Sequence, residues 1–328
     1  MSLKPEHCHV DVEPAAKNAV NQLPECVVEI APECIVEAIP EFVVQFSPAL
    51  FSLTPVLGGL SNHNSRLEFQ RNGVQQRYFV RQLSSTYHDM DNNVEHEYAA
   101  QIQAASIGLA PNIIVQHAQG MISDWIVGQH WNEADQGRDE NIEKIAQLVA
   151  TLHQQPLPHH HLDMVERLQH YYQTINTEFK TVQREQQLAL VINLIQQHLS
   201  TNLTTNRTVF CHHDMNPLNF IEDTQTKLYL LDWEFAAAGH GDFDIATLFQ
   251  TFAWQPSQQA LFLNYYNQDH PTAQVTSAQV DMMAVVVEMM TLLWCIVMYQ
   301  QDKDITYLTL WQQSERAMAD KINKLANS

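Results

Sequence analysis

The sequence is short of cysteine and of basic residues. Its five cysteines form no C-x-x-C pair, so they suggest no disulfide framework and indicate a reducing, cytoplasmic compartment. Lysine and arginine number 17 against 37 aspartate and glutamate, for a formal net charge of −20. So acidic a composition disfavours a nucleic-acid backbone as partner and is compatible with a cationic substrate. We therefore expect a cytoplasmic protein without a nucleic-acid partner.

Long unbroken apolar runs are also scarce. Hydrophobic residues make up 45% and charged residues 16% of the 328 residues, which is typical of a globular chain of one large domain or two lobes. The start of the sequence lacks a basic stretch followed by an apolar run, so we expect no signal peptide. The most apolar stretch, MMAVVVEMMTLLWCIVMY, is interrupted by Glu288 and predicts a buried helix, with no membrane partner.

Residues 1–45 are predicted to be an N-terminal extension. An eight-residue near-repeat begins at Pro24 and runs PECVVEIA, PECIVEAI, PEFVVQFS. Proline at every eighth position excludes one long regular helix and leaves short turns or short strands that lean on the main domain. We assign no function to this segment.

Residues 46–128 carry the pattern of a small β-rich lobe. FSLTPVL and SRLEFQR predict strands, and Asn72-Gly73 is a strong hairpin signal before the strand RYFVRQL. NNVEHEYAAQIQAASIG predicts a helix that ends at Gly108, and NIIVQHA and MISDWIV predict two more strands. The pattern predicts a five-stranded antiparallel sheet with one helix inserted after the third strand.

Residues 129–328 are predicted to form a helical catalytic and substrate lobe. Within it, CHHDMNPLNF is followed by FIED, TQT and KLYLLD, which predict two short strands joined by a polar turn. Positions equidistant from such a turn lie opposite each other, so we expect Asn219 close to Asp232. An amide and a carboxylate side by side are oxygen ligands suited to Mg²⁺. Asp214 precedes Asn219 on the same loop, where it is spaced to accept a proton from a hydroxyl; capping of a surface turn is the alternative role.

These residues carry a resemblance to a known family. His212-x-Asp214 with Asn219, and then LLDWEF with Asp232, resembles the catalytic loop and metal segment of the aminoglycoside phosphotransferase and choline kinase superfamily. The resemblance implies an α+β, two-lobed protein-kinase-like fold with ATP bound between the lobes. It implies that Asp214 is the catalytic base, that Asn219 and Asp232 hold Mg²⁺, and that His212 braces the loop.

The small lobe agrees with this resemblance. LGGLSNHN is similar to the superfamily's nucleotide-binding loop, in which glycines admit phosphate and polar side chains donate to it. The corresponding residues are Gly58, Gly59, Ser61 and Asn62. Arg81 stands where a protein kinase has its third-strand lysine, and Glu97, or alternatively Glu95, matches the carboxylate that pairs with it. SDWIVG resembles the connector whose backbone, near Asp124 and Ile126, would bind adenine.

Six further residues are candidates for substrate contact. Trp294 matches a position in the aromatic box that choline kinases place around quaternary ammonium, although Thr291 stands where a second aromatic is common. Glu234 lies two residues after Asp232 and is expected to steer a substrate cation or to reach a second metal. Four more aromatic residues are candidates for binding a substrate cation: Trp254, Tyr265, Tyr266 and Tyr299. The alternative is that they pack in the core, as aromatic residues on helices usually do. Asp244 in DFDIA is expected to tether the catalytic loop.

We expect a small-molecule kinase that uses ATP and Mg²⁺ to phosphorylate a small cationic alcohol. YFVRQ, LHQQP and LLDWEF resemble thiamine kinase, whereas GDFDIATLF and LLWCIVMYQ resemble choline/ethanolamine kinase of the bacterial type. Two alternatives stay open: an aminoglycoside phosphotransferase with an acidic substrate cleft, and a nucleotide-binding pseudokinase scaffold, for which Arg81 is the single sign. The oligomeric state has no signal in the sequence.

Overall fold

The structure, a computed structural model, describes residues 28–29, 51–56, 62–83, 93–201, 208–269 and 274–326. The chain divides into two compact units. The smaller comprises the described part of residues 1–129 together with Asp223–Glu234, and the larger comprises the described parts of residues 130–222 and 235–328. Residues 57–61, which contain most of the predicted nucleotide-binding loop, and all of the N-terminal repeat except residues 28–29 lie outside the described residues.

The described strands range from two to ten residues. In chain order they are β1 Val28–Glu29, β2 Phe51–Pro55, β3 Asn62–Arg71, β4 Val74–Leu83, β5 Ile113–His117, β6 Gly120–Asp124, β7 Gly128–Gln129, β8 Thr208–Cys211, β9 Phe220–Asp223, β10 Leu228–Leu230 and β11 Ala237–His240.

The described helices lie mostly in the larger unit. They are α1 Val94–Ser106, α2 Glu133–Gln136, α3 Asp139–His153, α4 Met164–Thr174, α5 Val182–Thr201, α6 Gly241–Thr251, α7 Pro256–Asp269, α8 Ser277–Asp302 and α9 Ile305–Ala326, with 3₁₀ turns at Thr177–Phe179 and Pro217–Asn219.

The smaller unit is built on a six-stranded sheet in the order β1-β5-β6-β4-β3-β2. Strands β2 to β6 pair antiparallel as predicted, and α1 is inserted after β4, the third of them. The sixth strand was not predicted at this place. It comes from the first copy of the N-terminal repeat and adds parallel to β5, with Val28 opposite Val115.

Strands β3 and β4 form the predicted hairpin at Asn72-Gly73. Both turn residues have positive φ, 53° and 77°, as a two-residue type I′ turn requires. The turn sets Arg71 opposite Val74, and the same register places Asn64 opposite Arg81. A slip of one residue would move Arg81 to the other face of the sheet, so the turn chemistry positions a site residue.

Helix α1 packs on this sheet through a buried tyrosine. It begins after the N-cap Asn93 and is followed by Gly108, whose φ of 78° ends it as predicted. The Tyr98 hydroxyl donates to the carbonyl oxygens of His117 at 3.0 Å and Gly120 at 2.5 Å. These two bonds hold the helix at the β5–β6 turn and fix the face that carries Glu97.

The larger unit has α8 at its centre, and α6 and α9 both pack against this helix. By length and composition α8 is long and apolar enough to cross a membrane, but 72% of its apolar window is buried inside the protein. Residues from Val280 to Met298 supply much of the buried surface. This burial is what the sequence predicts for a core helix.

Candidate active site

In the smaller unit, Arg81 contacts three carboxylates. Its Nη1 donates to Glu97 Oε1 at 2.5 Å, and its Nη2 donates to Asp232 Oδ1 at 2.9 Å and lies 3.4 Å from Glu234 Oε2. Glu97 is thus the helix carboxylate that contacts Arg81. The structure brings four of the predicted site residues into one cluster of charges, which we call the Arg81 cluster.

The turn after β10 supplies two members of this cluster. Strand β10 is tied to the residue beyond α1, because the Leu230 N–H donates to the Leu109 carbonyl at 2.8 Å. Asp232 then adopts a left-handed φ of 65°, which is uncommon for a residue other than glycine and marks a sharp bend. Trp233, between the two carboxylates, is fully buried and holds the bend. Asp232 and Glu234 both turn toward Arg81.

The Arg81 cluster is unevenly exposed. The side chains of Arg81, Glu97 and Glu234 are at most 4% exposed, whereas that of Asp232 is 36% exposed. With all four groups ionised, one positive and three negative charges leave a net charge of −2. Excess buried charge is costly unless a counter-charge balances it, so the cluster is suited to attract a cation at Asp232. The burial of Glu234 beside Arg81 does not favour the predicted contact with a substrate cation.

In the larger unit, Asp244 anchors the H-x-D loop. Its Oδ2 accepts from the backbone N–H of His212 at 2.8 Å, and its Oδ1 accepts from that of His213 at 2.7 Å. His153 Nε2 lies 3.2 Å from Oδ2, and His153 Nδ1 lies 2.8 Å from the Tyr266 hydroxyl. The fully buried His212 fits the bracing role implied by the sequence, and Asp244 is the tether that we expected.

Burial and hydrogen bonding act in opposite directions on the pKa of the Asp244 anchor. Burial raises the pKa of Asp244, but the hydrogen bond from His153 and the nearby histidine charges outweigh it and lower the pKa overall. Burial lowers the pKa of His213 to about 4 and raises the pKa of the Cys211 thiol well above its usual range. Cys211, His153 and Asp244 lie close enough to share a metal ion. A protonated thiol beside two groups engaged in hydrogen bonds is a poor ligand set, so we assign this cluster to structure.

Asp214 is held by two amide side chains. Its Oδ2 accepts from Asn219 Nδ2 at 2.7 Å and from Asn216 Nδ2 at 2.9 Å. The same Asn219 nitrogen donates to the Asp214 carbonyl at 2.9 Å. Because the amide nitrogen of Asn219 faces Asp214, Oδ1 is the atom that this side chain can offer to a cation.

Asn216 and His153 support the candidate site, and the sequence analysis did not predict either residue. Asn216 caps the 3₁₀ turn Pro217–Asn219, and an asparagine directly before a proline is a signal for that role. His153 lies at the end of α3 within LHQQP and has no local signal, since its partner Asp244 follows far along the chain. Asn216 contacts the H-x-D loop directly through Asp214, and His153 contacts it indirectly through Asp244.

The predicted aromatic contacts differ in burial. Trp254 is 4% exposed, its ring packs against Phe262, and its Nε1 donates to the Gln136 carbonyl at 3.0 Å. This placement favours a packing role over substrate contact. Trp294 is partly buried and meets Tyr307 edge to face at 5.5 Å between ring centroids. Trp294 therefore remains a candidate for substrate contact.

The predicted adenine connector follows β6. The Asp124 N–H donates to the Asn112 carbonyl at 2.9 Å, and its carboxylate accepts from Asn112 Nδ2 at 2.8 Å. Ile126 is partly buried. Asn62 opens strand β3. The other predicted members of the nucleotide-binding loop lie outside the described residues: Gly58, Gly59 and Ser61.

Each unit, taken by itself, contains an oxygen donor of the kind that Mg²⁺ favours. Asp232 offers a partly exposed carboxylate, and Asn219 offers an amide oxygen. Both are hard oxygen donors, and Mg²⁺ is held in proteins by one or two such groups together with substrate phosphates.

Comparison with known proteins identifies relatives of this chain. A sequence profile of choline/ethanolamine kinase matches residues 53–294. The chain is 21% identical over 251 residues to a probable ethanolamine kinase of Arabidopsis thaliana, a match that covers 71% of this chain and 67% of the relative. It is 28% identical over 130 residues to a LicA homolog of Mycoplasma capricolum, a match that covers 39% of this chain and 50% of the relative. The chain therefore spans about two thirds and one half of these two proteins.

The fold is also found among solved structures. Choline kinase LicA from Streptococcus pneumoniae superposes with a TM-score of 0.73 at 19% identity, covering 87% of this chain and 99% of that one. A structure of LicA in complex with AMP has the same TM-score and identity, with coverage of 88% and 98%. This similarity confirms the predicted kinase-like fold.

Proposed function

Because the chain belongs to the choline/ethanolamine kinase family, a family of small-molecule kinases, we propose that it transfers the γ-phosphoryl group of ATP to the hydroxyl of choline or ethanolamine. The observation that carries the proposal is the Asp214 carboxylate, which lies in the H-x-D loop and is oriented by Asn216 and Asn219. The AMP complex of LicA supports an adenine nucleotide as the phosphoryl donor.

Asp214 acts as the base in this proposal. It orients the acceptor hydroxyl and takes its proton as the alcohol oxygen bonds to the γ-phosphorus. The bond from that phosphorus to the bridging oxygen breaks, and ADP leaves with the electron pair. Two amide donors on one carboxylate oxygen hold the base in a single orientation, which suits a reaction that depends on positioning.

Arg81, Asn219 and Asp232 serve the phosphates. The guanidinium, fixed by Glu97, presents a planar fork of donors to phosphate oxygens. Asp232 and Asn219 Oδ1 would hold Mg²⁺, which when bound neutralises the charge of the phosphates. The proposed reaction requires the groups of the two units to act on the same nucleotide.

Trp294 is the proposed contact for the cationic end of the alcohol. Its indole is held edge to face by Tyr307, and an indole face attracts a quaternary or primary ammonium group. A net charge of −20 also favours the approach of a cation over that of a neutral alcohol. A cytoplasmic location fits a kinase that uses ATP, and it stays a prediction.

The test is ADP release from the purified protein with Mg-ATP and a panel of acceptors. The panel contains choline, ethanolamine, thiamine, an aminoglycoside and a sugar, ranked by kcat/KM because a weak background rate on one alcohol would mislead. Choline or ethanolamine should rank first by at least about tenfold. A first rank for thiamine or the aminoglycoside would overturn the proposed substrate, and turnover of none would overturn the proposed activity.

A further inference from the structure

Arg81 uses its two terminal nitrogens differently. Nη1 donates to Glu97 at 2.5 Å, and the side chain of Glu97, on helix α1, is fully buried. Nη2 donates to Asp232 at 2.9 Å, and Glu234 lies at 3.4 Å from the same nitrogen. Glu234 therefore stands at the edge of hydrogen-bond range, as a second acceptor for a nitrogen that is already engaged.

Asp232 has two competing partners in the proposed function. Its carboxylate pairs with Arg81 in the structure, and it is also the proposed ligand of a divalent cation. The two cations repel each other across one small acceptor, so metal binding weakens the hydrogen bond from Nη2. Without a replacement for this partner, the buried guanidinium would keep Glu97 on Nη1 but would lose a charge-assisted hydrogen bond at Nη2.

Burial separates the roles of the two carboxylates. Asp232 is 36% exposed and is open to an ion from solution, whereas Glu234 is 4% exposed and faces the guanidinium. A divalent cation at Asp232 would also bring the net charge of the Arg81 cluster from −2 to zero. Both facts favour metal entry at Asp232 with Arg81 retained beside Glu234.

Resting on the proposed function, we propose that Glu234 is a positioning residue that receives Nη2 of Arg81 when a divalent cation takes Asp232. Glu97 keeps Nη1 throughout, so the guanidinium pivots about one fixed hydrogen bond. Glu234 thereby releases Asp232 for the metal and keeps Arg81 aligned for phosphate. This role replaces the contact with a substrate cation that the sequence suggested.

The proposal is tested by metal affinity, with Mn²⁺ as the probe and saturating ADP. The concentration of free Mn²⁺ is measured by electron paramagnetic resonance, so the readout does not depend on turnover. Glu234→Gln should raise the Kd of Mn²⁺ by about tenfold or more, because a neutral amide oxygen accepts from a guanidinium more weakly than a carboxylate does, so Nη2 of Arg81 stays on Asp232 and competes with the metal. Glu234→Asp keeps the charge but withdraws the carboxylate by roughly 1.5 Å, so it should raise the Kd nearly as much.

A matched control removes a carboxylate elsewhere in the same sheet. Glu68 on β3 pairs with Arg66 and Arg77, at 3.0 and 2.9 Å, outside the Arg81 cluster. Glu68→Gln should leave the Kd of Mn²⁺ unchanged. If Glu234→Asp binds Mn²⁺ like the unmodified protein, or if Glu68→Gln weakens it as much as Glu234→Gln, Glu234 acts through its charge alone and the proposal is overturned.

A double-mutant cycle tests whether Glu234 acts through Arg81. In an Arg81→Met background, or in Arg81→Gln if the first variant does not fold, Glu234→Gln should change the Kd of Mn²⁺ by less than about twofold, because neither replacement is a cation. An undiminished effect there would make Glu234 a direct ligand and overturn the proposal. A crystal structure of the unmodified Mn²⁺–ADP complex gives an independent answer: Nη2 should bond Glu234, and Nη2 still on Asp232 would refute the exchange.

The same titration separates this proposal from the proposed function. Unmodified protein that binds no Mn²⁺ in the presence of ADP would overturn both. Unmodified protein that binds Mn²⁺, with Glu234→Gln binding it equally well, would overturn the role of Glu234 and leave the kinase proposal in place.

Discussion

Individual residues of the candidate site are held by neighbours that leave them little freedom. Asp214 has two amide donors on one oxygen, and the loop that carries it is bonded through two backbone N–H groups to Asp244. This arrangement fixes a base before substrate arrives. Changes at these positions should therefore alter rate or stability selectively, and single substitutions can tell the two apart.

Asp214→Asn should lower kcat by about a thousandfold, because the amide keeps the shape of the side chain and cannot accept the proton. The Kd of ADP should change little, since Asp214 is not assigned to the nucleotide. The measurements are steady-state ADP release and ADP binding by calorimetry. Asp163→Asn is the control, because Asp163 caps α4 and asparagine caps a helix equally well. Retained turnover in Asp214→Asn would contradict the assigned base.

His213 should make stability depend on pH in a defined window. Its pKa falls from 6.5 to about 4 on folding, so below pH 6.5 the unfolded chain binds a proton that the folded protein does not. The contribution of His213 to the free energy of unfolding is therefore fully present above pH 6.5. It falls by about 3 kcal/mol as the pH is lowered to about 4.

His213→Asn should remove that part of the decline, because asparagine tolerates the φ of 63° at this position and does not titrate. Urea unfolding at a series of pH values measures it, with the exposed His170→Asn as control. Equal slopes for His213→Asn and the unmodified protein would show that another group is responsible.

At the scale of elements, α8 carries a buried carboxylate in an apolar helix. Glu288 is 3% exposed in its side chain and forms an ion pair with Lys321 of α9. A buried pair contributes little compared with an apolar pair of the same size, but removal of one partner leaves an uncompensated charge. Replacing one member of the Glu288–Lys321 pair should therefore lower the free energy of unfolding much more than replacing both.

Lys321→Met should lower the free energy of unfolding by about 3 kcal/mol, because it leaves Glu288 charged and buried. Adding Glu288→Met should restore most of the loss, since both groups then pack as apolar side chains. Urea unfolding of the single and double variants measures this. A double variant as unstable as Lys321→Met would mean that the pair is needed for more than charge balance.

The whole molecule is acidic, with a formal net charge of −20 that no local motif requires. Charge of one sign attracts a cationic alcohol and repels the phosphates of ATP, so the two substrates should respond oppositely to salt. The effect is a property of the electrostatic field of the whole protein, and no single residue accounts for it.

Raising NaCl from 10 to 150 mM should lower kcat/KM for choline several-fold, because the Debye length shortens from about 30 to about 8 Å. The value for ATP should stay constant or rise. Steady-state rates at fixed pH measure both, and sucrose at matched osmolality controls for solvent effects. A kcat/KM for choline that is independent of salt would show that the acidic surface does not guide the substrate.

The sequence by itself determined those features whose signals are local. The H-x-D loop with Asn219, the Asn72-Gly73 hairpin and the end of α1 at Gly108 depend on a few adjacent residues and their backbone preferences. The kinase-like fold was predicted from the resemblance that the H-x-D loop and the LLDWEF segment carry to a known superfamily, and both are local motifs.

Tertiary structure alone decided which distant groups meet. Asp232 and Glu234 lie 151 and 153 residues from Arg81 in the chain, and only the bend after β10 turns both carboxylates to one guanidinium. The same is true of the burial of Trp254 and of the added strand β1. Such contacts depend on which faces of helices and strands pack together, and packing is set by the complementarity of whole surfaces, which residue spacing does not specify.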